Sequence, residues 1–335
     1  MLDGHRIVCV TPAGRRRYLR LLIPYVLSCP RVDRYDLWVN TPDPADLAFL
    51  EAVAGIDDRI RLVPLPEGKK PGPAAIGAFW PGATDADTVY VRFDDDVVWI
   101  DPAFFDTFLA FRLQHPEYFA VAPLVINNAM STYLLQTFGK VRTSRPVGPD
   151  RFDPIGWINP TLARSLHVFF QELVAADEVQ RLACGRVPLS VNCFSINCIS
   201  WLGRDFAAFG GQVPKGEDEE AAASCTLALR AGRINGVETA AVAAHFAFYT
   251  QRELMDQSGL LGGYVRLAAG RHELEPWRTR VEAIYSELES RYPVHLSLGG
   301  FAPLSKRKRP LIKRLLRPKR DKAPEEITVQ RGPGF

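Results

Sequence analysis

Short apolar runs at residues 6–10, 35–39, 59–65, 88–93 and 118–126 alternate with turns and stretches of helical spacing. This alternation constrains the chain more than any other feature. Parallel strands need crossover connections, and strands interleaved with helices are the signature of βαβ units around a mainly parallel sheet. After the first run, Thr11-Pro12-Ala13-Gly14 forms a turn, and Leu19, Leu22, Ile23 and Val26 then recur at helical spacing. Helices are expected at 44–53, 74–80 and 102–114. The expected fold class is α/β: a mostly parallel central sheet, Rossmann-like, flanked by helices. In such sheets ligands bind at the carboxyl ends of the strands.

Beyond residue 127 the pattern loosens. Residues 128–188 carry Asn127-Asn128, Pro146, Gly148-Pro149, Pro154 and Asn159-Pro160 at or inside their borders, with one helix expected at 161–182. Order returns with a strand-like run at 189–201, a helix at 204–209, the reversal Gly210-Gly211, a helix at 218–231, a strand at 238–244 and a helix at 275–291. Four sections follow: a regular first half (1–127), an irregular insertion (128–188), a second ordered half (189–300) and a basic, flexible tail (301–335).

The net charge of +3 conceals an asymmetry, since residues 1–304 hold 30 basic and 35 acidic side chains. The basic surplus lies at 305–320, where nine Lys or Arg occur without an acid. A nucleic-acid-binding fold carries its basic surface on the folded body, so no nucleic-acid partner is expected. Within the tail, Leu311, Ile312, Leu315 and Leu316 fall on one face of a short helix among bases. Three readings stand there: a solvated tail, attachment to an anionic membrane surface and, last, contact of the tail alone with nucleic acid. The six cysteines show no C-x-x-C pair and read as reduced core residues. With no signal-peptide pattern and no apolar run of about 18 residues, the expected location is cytoplasmic, peripheral on the inner membrane face if the tail binds there.

The fourth apolar run leads directly into Asp94, Asp95 and Asp96. Three adjacent carboxylates repel one another unless a cation joins them, and hard divalent ions take oxygen ligands. In extended backbone Asp94 and Asp96 share a face. The alternative is a surface turn. About 120 residues on comes Gly216-Glu217-Asp218-Glu219-Glu220, at the mouth of the expected helix. Glu219 and Glu220 read as ordinary first-turn acids favoured by the helix dipole, whereas Glu217 and Asp218 stand where a carboxylate could take a proton. His245 ends an apolar strand, as either a core residue or a metal ligand.

In this order the features resemble GT-A glycosyltransferases, particularly family-2-like inverting enzymes, over roughly residues 5–250. The resemblance rests on the Gly14-Arg15 turn, Asp94-Asp95-Asp96 as a D-x-D motif, Leu202-Gly203-Arg204-Asp205-Phe206 with Phe209-Gly210-Gly211, Glu217-Asp218 as an x-E-D motif, Leu229-Arg230-Ala231-Gly232, and His245. It implies that Asp94 and Asp96 engage Mn²⁺ or Mg²⁺ and the nucleotide-sugar donor, with His245 completing the metal shell. Asp218 becomes the base for a glycan or lipid-linked acceptor, and Glu217 supports its loop. Thr11, Pro12, Arg15 and Asp95 fall near the donor, and Lys69 or Lys70 near its diphosphate. Two rival readings are a sugar nucleotidyltransferase and a non-catalytic nucleotide-sugar-binding protein.

Overall fold

The computed structural model describes residues 2–190, 192–292 and 324–335. Its strands are β1 (Arg6–Ala13), β2 (Arg34–Val39), β3 (Ile60–Val63), β4 (Thr88–Phe93), β5 (Val97–Ile100), β6 (Ala120–Ile126), β7 (Val141–Thr143), β8 (Arg186–Leu189), β9 (Cys198–Leu202), β10 (Asn235–His245) and β11 (Val329–Arg331). Nine of them form one sheet in the order β3-β2-β1-β4-β9-β6-β10-β5, with β8 also paired to β10. β1, β2, β3 and β4 run parallel, as do β6 and β10; β9, β5 and β8 oppose their neighbours. The sheet is thus mostly parallel in strand direction and flanked by helices, as the alternation of runs predicts.

β1 shows why its sequence is a continuous apolar run. Ile7 and Cys9 enter the core on one face, while Val8 and Val10 enter the core on the other. A strand buried on both faces has no polar side to show. The first core holds the helix Arg16–Ser28, whose Leu19, Leu22, Ile23 and Val26 are fully buried. The second is an aromatic block in which Trp80 meets Trp201 at 4.7 Å and Phe206 at 5.0 Å. Gly211 is required beside it. Its φ is +64°, and an added Cβ would stand 2.7 Å from Pro81 Cα. All six cysteines are free, and no described helix is long and apolar enough to cross a membrane.

Three elements differ from expectation for local reasons. The segment expected as a helix at 74–80 is two 3₁₀ turns, Pro73–Ala78 and Trp80–Gly82, interrupted where Pro81 cannot donate a helical hydrogen bond. The helix expected to reach residue 182 is Pro160–Ala175, started by the Asn159 side chain on Thr161 N and Leu162 N; a short 3₁₀ turn, Val179–Leu182, follows. The run at 189–201 is not one strand, because β8 ends at Leu189 and β9 begins at Cys198.

The tail also differs at its end. The basic stretch 305–320, with its apolar face at 311–316, lies outside the described residues. Residues 324–335, expected to be flexible, are docked. β11 pairs antiparallel with β7, and Ile327 is fully buried. Thr161 Oγ1 donates to Glu325 O at 2.6 Å and Ile327 N donates to Thr161 Oγ1 at 2.8 Å. Ser165 Oγ donates to Ile327 O at 2.7 Å. One isoleucine seated among satisfied backbone groups anchors the end of the chain. Ile327→Ala is expected to cost about 2–5 kcal/mol, read as a lower urea midpoint at unchanged slope.

Candidate active site

Two strand ends build the site. β4 stops at Phe93, and Asp94–Asp96 turn the chain into β5, with Val97 N donating to Asp94 O at 3.1 Å. β5 pairs antiparallel with β10, which places Val97 opposite His245 after a register shift at Ala244/His245. Phe246 N donates to Asp96 O at 2.8 Å and closes the junction. Residues about 150 positions apart in the chain therefore meet through one strand pairing.

Ligand atoms of Asp94, Asp96 and His245 all lie within 4.8 Å of one another. His245 Nε2 is 3.2 Å from Asp96 Oδ1, and its Nδ1 faces Asn127 O at 3.3 Å. An imidazole that donates from Nδ1 to a carbonyl keeps Nε2 for a cation. Asp96 is 1 % exposed, and its Oδ1 faces the His245 imidazole. With a second carboxylate and an imidazole beside it, the group fits a divalent ion.

The protein supplies its own positive charge as well. Arg15 donates from Nε to Asp95 Oδ1 at 2.9 Å and pairs with Asp96 at 2.8 Å, and Gly14 N donates to Asp95 Oδ2 at 3.1 Å. Arg252 lies 3.6 Å from Asp96. Burial works against ionising Asp96, yet Arg15, His245 and Arg252 outweigh it and hold the carboxyl far below the usual range. Burial likewise opposes the charged form of His245, and the facing Asp96 overrides it, so its pKa is raised. Asp95 turns away from the His245 side toward the Gly14-Arg15 turn.

Asp94 also has partners of its own. Asn197 Nδ2 donates to its Oδ2 at 2.9 Å, and Arg92 pairs with its Oδ1 at 2.8 Å. Arg92 is 2 % exposed and bridges Asp94 to Glu219 Oε1 at 2.9 Å, while also donating to Ile196 O at 2.6 Å. Trp80 Nε1 donates to Glu219 Oε2 at 2.9 Å. The second acidic cluster is thus tied to the first through one guanidinium. Its helix starts at Glu219, with the Asp218 side chain capping Ala221 N, and passes through a π turn at Ala222–Thr226. Such turns inside helices recur at functional sites.

Asp218 also pairs with Arg151, which stands 3.5 Å from Glu220. Burial pushes the Asp218 pKa up, but Arg151 and the capped amide outweigh it and hold the carboxyl low. Glu220 differs. Burial raises its pKa most, Arg151 opposes, and Asp94 and Glu219 add repulsion, so it is pushed up to about 7.

Of the residues singled out in the sequence, Asp94, Asp95, Asp96, Arg15 and His245 converge, and Asp218 borders the same network. Thr11 is fully buried, 3.0 Å from the Tyr35 hydroxyl, and Pro12 is buried in β1. Lys69 and Glu217 are exposed, Lys69 in the turn that its amide closes on Pro66 O. Sequence reasoning missed Arg92, Arg151, Asn197 and Arg252, while Glu219 and Glu220 stand in the first helical turn as expected. One signal was present: Arg92 interrupts the apolar run of β4, where a charge is expensive unless paired.

No profile of a known protein family matches the chain, and no curated protein matches it. Among solved structures, it is similar to 4-diphosphocytidyl-2C-methyl-D-erythritol synthase from Anaerococcus prevotii, at 12 % identity and TM-score 0.41 over 79 % of this chain and 100 % of that one. A mycobacterial protein aligns at 15 % identity and TM-score 0.42 over 79 % of this chain and 76 % of that one. GalNAc-T7 with UDP, GalNAc and Mn²⁺ aligns at 9 % identity and TM-score 0.42, over 88 % of this chain and 59 % of that one. The strand order defines a Rossmann-like α/β fold, with a carboxylate–histidine group at the carboxyl ends of β4 and β10.

Replacing Arg92 by Met leaves Asp94 and Glu219 facing each other without their shared cation. Removing one partner of a buried ion pair costs about 3–5 kcal/mol, so Arg92→Met is expected to unfold at a markedly lower temperature, measured by calorimetry.

Proposed function

We propose that the chain is a metal-dependent glycosyltransferase that moves a sugar from a nucleoside-diphosphate sugar to a hydroxyl of a glycan or lipid-linked acceptor, with inversion at the anomeric carbon. The observation that carries this reading is the meeting of Asp94, Asp96 and His245, whose ligand atoms lie within 4.8 Å of one another. Bound there, Mn²⁺ or Mg²⁺ supplies Lewis-acid stabilisation of the charge that develops on the departing diphosphate.

The chain's own residues divide the remaining work. Arg15, whose side chain is 29 % exposed, offers its guanidinium to the diphosphate beside the aspartates. Asn197 and Arg92 hold Asp94 in place. The acceptor hydroxyl needs a base on the face of the sugar opposite the leaving group. The sequence points to Asp218 for that role. Asp218, however, caps a helix and pairs with Arg151, and both contacts disfavour protonation. A base works best with a pKa near the operating pH, and Glu220 meets that condition. In this reading Glu220 takes the proton, Asp218 positions Arg151, and Glu217 shapes the loop.

The test is incubation with UDP-, GDP- and dTDP-sugars, with and without Mn²⁺. Metal-dependent release of sugar and nucleoside diphosphate, with inverted product configuration by NMR, is the expected result. A product of retained configuration overturns inversion. Pyrophosphate release would instead mark a sugar nucleotidyltransferase, and binding without turnover a nucleotide-sugar-binding protein.

Two further outcomes follow from the base assignment. Because the base must be ionised, kcat/KM should rise with pH along an acid limb between the ordinary carboxylate range and about 7; a cation neutralising Asp94 moves it toward the lower end. Glu220→Gln should lower kcat by about 10²–10⁴-fold, and Asp218→Asn by less. The reverse ranking returns the base role to Asp218.

A further inference from the structure

Two exposed aromatic rings, with a third half-buried between them, adjoin Arg151, the partner of Asp218 and Glu220. Phe152 is 43 % exposed and Tyr249 63 % exposed, with half-buried Trp157 between them. The Phe152 and Trp157 centroids are 5.1 Å apart at 65°, and those of Trp157 and Tyr249 are 5.3 Å apart at 79°. Neither contact buries the outer rings.

The backbone that carries them is pinned. Asp153 Oδ1 accepts from Ile155 N at 2.9 Å and Gly156 N at 2.7 Å. Gln251 Nε2 donates to Gly156 O at 3.0 Å, and Thr250 Oγ1 donates to Trp157 O. A row of rings held this firmly, yet left uncovered, has no role in the core.

Its position gives it one. Arg151 lies 4.3 Å over the Phe152 ring and holds Asp218 and Glu220 at its other side. At the far end, Phe248 packs 4.6 Å from the His245 ring, and Tyr249 follows it directly. The row therefore runs from the proposed base to the proposed cation-binding group, which is where an acceptor must lie.

We propose that Phe152, Trp157 and Tyr249 form the acceptor subsite and that the acceptor is a glycan, recognised by stacking of a sugar ring on this row. The proposal rests on the transferase reading and narrows its acceptor. A pyranose presents a face of weakly positive C–H groups to the negative face of an aromatic ring, while its hydroxyls need polar partners at the rim. Charged groups adjoin Phe152: Asp150 Oδ1 accepts from its N, Arg151 lies over its ring, and Glu220 stands 3.5 Å from Arg151. A lipid chain asks for a continuous apolar groove and gains nothing from charged borders.

The experiment uses the full chain and a panel of methyl glycosides and oligosaccharides, followed by tryptophan fluorescence and by ligand-observed NMR without donor. Saturable binding of a glycan is expected, weakened tenfold or more in Tyr249→Ala and Phe152→Ala and kept in Tyr249→Phe. Tyr249 and Phe152 are surface residues, and the urea midpoint of each variant checks its fold. Failure of every glycan to bind overturns the proposal, as does ring-dependent binding to phosphatidylcholine vesicles instead. Metal-dependent donor hydrolysis by the unaltered protein is scored separately, so a failed transferase reading and a failed acceptor assignment give different results.

Discussion

A guanidinium with 2 % of its surface exposed must find carboxylates, and Arg92 finds two, on segments more than a hundred residues apart. That pairing makes the first acidic turn and the second acidic helix a single unit. Breaking it would leave charge stranded in a poor solvent. The aromatic block behind Arg92 strengthens the link, because Trp80 belongs to the second core and also donates to Glu219. Packing and electrostatics thus act on the same helix, and the position of Glu220 follows from both.

The charge balance around Asp94, Asp95 and Asp96 has a second consequence. Three adjacent acids by themselves suggest a cation, but Arg15, Arg92 and Arg252 already oppose them. What distinguishes this group from an ordinary ion-pair network is its donor set: an imidazole Nε2 turned toward Asp96 Oδ1, with Asp94 beside both. The partners of each acid, rather than the total charge, are the informative quantity. The same reasoning separates Asp218, saturated by Arg151 and a backbone amide, from Glu220, which carries repulsion from its neighbours.

Much of the architecture was legible because burial leaves a local mark. β1, β2 and β4 are apolar runs, and the helices Arg16–Ser28 and Glu275–Arg291 stand where sequence reasoning expected helices. Asp94–Asp96 and His245 were visible because their residue types are unusual beside apolar strands. The 3₁₀ turns at Pro73–Ala78 and Trp80–Gly82 were harder, since prolines forbid a regular helix without saying what replaces it. The docked end of the chain left little trace, since Ile327, Val329 and Phe335 are scattered among polar residues and show no regular period.

The sequence by itself determined the alternation of strands and helices, and with it the edge of the sheet at which charged groups gather. It also chose the acids and the histidine. Only the tertiary structure decided which of them meet, through the β5–β10 pairing, and which cations answer them, through Arg15, Arg92, Arg151 and Arg252. The reason is physical. Periodicity records whether a side chain faces apolar surroundings, a property each segment carries locally, whereas the partner of a charge is set by long-range pairing that no single stretch of chain encodes.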